Sequence, residues 1–161
     1  MLKLLIFLGI YCKFRTFAKK NKDMIADFNT MPMIFSECNR KYFNQELPMP
    51  KFGLINKTSI LARFEYFKEK DGKKIKHKKI LFSDCFDFDE ETFINLMVHE
   101  MIHYYLAWNG IKNPTQHNKE FMDIANKINS KYGLNITKTV DASSFKKTEN
   151  APKSIFKILF G

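Results

Sequence analysis

Between Asp89 and Gly110 lies a helix-length segment whose apolar residues, Phe93, Ile94, Leu96, Met97, Val98, Met101, Ile102, Tyr105 and Trp108, occupy most of a helical circumference. A helix with so little polar surface has to be enclosed on nearly all sides, so the rest of the chain must wrap it into one core. Asp89 is placed to cap the N-terminus, Glu90 and Glu91 complement the positive end of the helix dipole, and Gly110 suits the stop. A length of 161 residues supplies one such core and leaves little room for a second. Hydrophobic residues make up 45% of the chain, with 17 Phe against 5 Pro and 6 Gly, which excludes a disordered or collagen-like polypeptide.

Polar side chains interrupt this apolar helix at His99-Glu100-Met101-Ile102-His103, an H-E-x-x-H pentapeptide. Residues four apart project from one face about one turn apart, so both imidazoles can reach a single ion. Glu100 lies about 100° around the helix from His99, where a carboxylate can touch a water on that ion without ligating it. With 4 His in 161 residues, chance placement yields this pattern in about one chain in two hundred. Burying His99, Glu100 and His103 without partners would be costly, and a divalent ion partners both rings at once. Catalytic zinc usually takes three protein ligands and leaves a fourth position to water, so a third ligand is needed. His77 sits among lysines that disfavour a dication. His117, fourteen residues after His103, is the candidate, with Glu120 as the carboxylate alternative. Asp84, Asp87, Glu120 and Asp123 are candidate acceptors for the ligand imidazoles, and Tyr104, next to His103, is a candidate for the cleft wall.

Around this segment the pattern reads α+β. Thr30 is a candidate N-cap and Pro32 suits the first turn of an amphipathic helix over 31–44, which Leu47-Pro48-Met49-Pro50 stops. Phe52 to Asn56, Ile60 to Phe67 and Lys74 to Phe82 have β-rich composition, and Lys70-Asp71-Gly72 is a hairpin signal, so three antiparallel strands are expected. The basic run Lys73 to Lys79 has the charge that protects a sheet edge from aggregation. After Asn113-Pro114, a second helix is expected from Thr115 to Lys131, stopping at Gly133.

The three cysteines, Cys12, Cys38 and Cys85, are odd in number and widely spaced, which fits neither a disulfide framework nor a cysteine zinc site and points to a cytoplasmic, reducing location. The formal charge is +10, with an acidic middle and basic flanks. Such Lys-rich faces offer DNA a long-range attraction that carries no sequence information, and equally serve as a solubilising surface. The apolar run Leu4 to Tyr11 is too short to span a bilayer and lacks the flanks of a signal peptide, so no integral membrane anchor is expected. Residues 1–30 read as an N-terminal extension or helix and 134–161 as a basic C-terminal extension packed on the domain.

The motif helix, the downstream His117-Asn118-Lys119-Glu120-Phe121 and the preceding Tyr42-Phe43-Asn44-Gln45-Glu46-Leu47-Pro48 together resemble the SprT-like metalloproteases, a family that includes Spartan, which degrades proteins crosslinked to DNA. The resemblance covers about residues 31–133. It implies a zincin-like fold with an N-terminal helix, a three-stranded antiparallel sheet, an HExxH active-site helix and a following helix carrying the third ligand. It also implies Zn2+ held by His99, His103 and His117, with Glu100 as catalytic base acting on a protein or peptide substrate. Family members commonly have Gly directly after the third histidine, where this chain has Asn118. Two other readings stand beside this one: a nucleic-acid-binding protein with a structural zinc site and no proteolysis, and a peripheral membrane or partner-binding protein using the apolar N-terminus and the stretch Lys153 to Phe160.

Overall fold

Helix α2 (Glu90–Trp108) is the centre around which the other elements pack. A computed structural model describes residues 29–69 and 75–152. In chain order these form α1 (Thr30–Tyr42), β1 (Lys51–Ile55), β2 (Ala62–Lys68), β3 (Ile75–Ser83), α2 and α3 (Lys119–Tyr132), followed by a short 3₁₀ turn at Ala142–Ser144. The class is α+β, with α2 contacting α1, α3 and the sheet strands β2 and β3. Asp89 caps α2 as expected, its side chain accepting from the Thr92 N–H at 2.7 Å. Phe93, Met97, Val98, Met101 and Ile102 are wholly buried, each contributing about 1.5–3 kcal/mol by leaving water. Phe93 stacks on Phe82 of β3 with ring centroids 4.5 Å apart, and Tyr104 stacks on Phe64 of β2 at 5.0 Å.

The sheet differs from the expected antiparallel one. Its order is β1-β3-β2, with β3 antiparallel to β2 but parallel to β1. Six residues, 56–61, connect β1 to β2, enough to cross the width of an intervening strand. Strand β3 then folds back from β2 into the open slot. It is therefore central rather than an edge, and its basic character is confined to its first half. Residues 80–83 are all buried, and the continuous apolar run Ile80-Leu81-Phe82 is the mark of a strand covered on both faces.

The segment after α3 crosses back over the domain. Ile136 is buried, Thr148 N–H donates to the Cys85 carbonyl at 2.9 Å, and the Asn56 amide donates to the Asn150 carbonyl at 2.6 Å. Phe145 packs edge-on against Phe86 and Phe88. Cys38 and Cys85 are free and buried. No helix among the described residues is long and apolar enough to cross a membrane. The apolar run 4–11, the turn Lys70-Asp71-Gly72 and the stretch Lys153 to Phe160 lie outside the described residues.

Candidate metal centre

His99 and His103 occupy one face of α2, as their spacing demands. His117 reaches them from the loop before α3, not from the helix itself. The expected start at Thr115 is overturned by the turn that Asn113 and Pro114 build, in which Gln116 N–H donates to the Asn113 carbonyl at 3.0 Å. Helix α3 begins only at Lys119, because Asn118 caps it by accepting from the Phe121 N–H at 3.0 Å. Asn118 thus ties the residue after His117 to the residue that supports the site. Phe121 is fully buried, and its ring centroid lies 4.9, 4.6 and 4.7 Å from those of His99, His103 and His117.

The three Nε2 atoms converge. They are separated by 3.2 Å (His99 to His103), 3.2 Å (His103 to His117) and 2.9 Å (His117 to His99). Three nitrogens about 2.05 Å from a tetrahedral ion would lie about 3.3 Å apart, so the triangle fits one metal ion. The donor set fits as well, since neutral imidazole suits zinc and other first-row dications. Burial, reinforced by the neighbouring rings, lowers His99 to about 3. Burial also lowers His103 to about 4 and, with Lys138, holds His117 below its ordinary value. Each of these shifts favours the unprotonated form a ligand needs.

In His99 and His103 the other ring nitrogen meets backbone, not the acidic residues considered above. His103 Nδ1 lies 2.7 Å from the Pro114 carbonyl, and His99 hydrogen-bonds the Thr137 backbone. Asp84 accepts from Asn56, Asp87 and Asp123 pair with Lys146 and Lys119, and Glu120 is exposed. Glu120 and His77 do not join the cluster; the His77 ring packs on Phe67 instead. Tyr104 belongs to the core and donates from its hydroxyl to the Pro48 carbonyl at 2.9 Å. Glu100 is 6% exposed. Burial pushes its carboxyl up to about 8, opposed by a hydrogen bond from the Phe64 backbone and the charge of Arg63. A dication in the imidazole triangle would favour the ionised form again.

The SprT-like family model matches residues 31–140, more than half of the chain, and so spans α1, the sheet, the motif helix and all three histidines. The chain belongs to the SprT-like family. No curated protein gives a significant match. As an SprT-like protein it carries a family fold generally associated with metallopeptidase-type activity, and its histidine cluster is compatible with metal binding. The SprT-like match ends at residue 140, inside the segment that contacts His99 through Thr137.

Proposed function

We propose that the protein is a zinc-dependent metallopeptidase in which His99, His103 and His117 hold the ion and Glu100 is the general base. The observation that carries this reading is the convergence of three ring nitrogens within 2.9–3.2 Å beside a buried carboxyl one residue from the first ligand. When bound, zinc supplies a water acidified toward neutrality and a Lewis acid for the scissile carbonyl. Glu100 accepts the proton of the attacking water and returns it to the leaving amine. The Phe64 N–H fixes the carboxylate while it does so. Phe121 forms an apolar floor beneath the imidazoles, which lowers the local dielectric on that side. The match to the SprT-like family supports the same assignment.

Two variants test it. Glu100→Gln should lower cleavage of a denatured protein substrate by about 10²–10⁴-fold while elemental analysis still finds one metal per chain. His117→Ala should lose the metal itself. Cleavage that survives Glu100→Gln would sink the reading.

A second reading, engagement of DNA, is supported by the hairpin end of the sheet. There Lys51, Lys76, His77 and Lys79 surround a cavity of about 370 Å³ beside Phe67, which is 68% exposed. Single-stranded DNA should bind this face with an affinity that falls steeply with salt and is unchanged in Glu100→Gln.

A further inference from the structure

A cavity of about 270 Å³ lies along α2 on the N-terminal side of His99, between the helix and the segment 135–141. Thr92, Asn95 and Leu96 line it from the helix, Ile136 and Val140 from the segment, and Phe145 from just beyond. His99 is itself part of the lining, so the cavity adjoins the imidazole cluster. It is smaller than the roughly 300–1,000 Å³ typical of sites for whole small molecules. Its size suits one side chain.

The walls are held in place before anything binds. The Asn129 side chain on α3 accepts from the Ile136 N–H and donates to the Ile136 carbonyl, both at 2.9 Å. Asn95 accepts from the Asn135 N–H at 3.0 Å. Leu96 and Ile136 are buried, whereas Val140 keeps 42% of its surface exposed at the mouth. Asp141 is the one charged residue of the lining, and both its oxygens are engaged, by the Ser143 N–H at 2.9 Å and the Ser143 hydroxyl at 2.8 Å. Thr92, Asn95, Thr137 and Thr139 add polar groups to the wall, but its larger part is apolar and comes from Leu96, Ile136, Val140 and Phe145.

We infer that this cavity is a substrate subsite that receives an apolar side chain within three residues of the bond to be cut. The distance follows from the helix rise: Leu96 and Thr92 lie about 4.5 and 10 Å along the axis from His99, a span covered by about three residues of extended peptide. The inference rests on the peptidase reading. Recognition comes from apolar contact with Leu96, Ile136, Val140 and Phe145.

The test is a digest of a denatured protein mixture with cleavage sites read by mass spectrometry. For the wild type, one position within three residues of the cut should be enriched about tenfold in Leu, Ile, Met or Phe. Val140→Asp should abolish that enrichment, and Val140→Trp should shift it toward Gly and Ala. Both variants should keep the wild-type metal content and melting temperature. In parallel, a labelled peptide carrying the preferred residue should bind Glu100→Gln about tenfold more tightly than the Glu100→Gln, Val140→Asp double variant. A flat profile in a wild type whose cleavage still depends on Glu100 overturns the subsite and spares the peptidase reading. So does a profile unchanged in both Val140 variants, or a preference for Lys or Arg that Asp141→Asn removes. Absence of any Glu100-dependent cleavage overturns both.

Discussion

Asn39 is a buried amide in an apolar setting, and both ends of it are engaged: its Nδ2 donates to the Leu47 carbonyl at 2.7 Å and its Oδ1 accepts from the Leu47 N–H at 3.2 Å. The loop it closes contains Asn44 and Gln45, both at positive φ, and delivers the Pro48 carbonyl to Tyr104. Asn39→Ala would leave both Leu47 backbone groups buried without partners, at about 1–3 kcal/mol each. We expect it to destabilise the protein by about 2–4 kcal/mol, visible as a lowered urea midpoint with unchanged slope. The role of Asn39 was not readable from the sequence, where it is one polar residue in an amphipathic helix. The shared face of His99 and His103 was readable because its geometry is local: one helix sets it, whatever the rest of the chain does. The partners of those rings, the carbonyl of Pro114 and the backbone of Thr137, were not, because every residue carries a carbonyl and only the tertiary fold selects which one arrives.

Element boundaries follow the same division. Asp89 and Gly133 were identified as helix ends from chemistry that acts within a few residues, and Gly133 is indeed left-handed at φ 72°. The order of the strands was not, since pairing β1 with β3 rather than β2 depends on where a distant hairpin folds back. The beginning of α3 was misplaced because the cap is Asn118, three residues beyond Thr115. That shift matters to the site: it leaves His117 in a loop, where its position depends on neighbouring segments more than on helical spacing. The segment after α3 is tied down by Asn129 through Ile136 and presents the Thr137 backbone to His99. Asn129→Ala should therefore loosen the backbone contact that orients His99, two links away. We expect metal affinity to fall by about tenfold, at the low end for such partners, as measured by competition with a chromophoric chelator. Unaltered affinity in a folded variant would show that Thr137 does not depend on this clamp.

At the scale of the whole molecule, the imidazole cluster and the core are built from the same helix and meet at Phe121. One side of α2 is committed to Phe82, Phe64 and the rest of the apolar cluster, whose member Phe121 also packs against all three histidines. The histidines are gathered at its margin, over Phe121 and under the segment that ends the family match. A protein folded mainly by its metal would have little apolar core of its own; here the wholly buried set includes Phe35, Phe82, Phe88, Phe93, Met97 and Met101. Chelation should accordingly weaken the fold without abolishing it. Zinc present at a hundred times its dissociation constant adds about 2.7 kcal/mol to the folded state. For a chain of this size that corresponds to about 5–10 °C of melting temperature. We expect EDTA to lower Tm by that amount while leaving one cooperative transition and native far-ultraviolet circular dichroism, and added zinc to restore it. Loss of the transition would mean that the imidazole cluster, rather than the aromatic core around α2, holds the elements together.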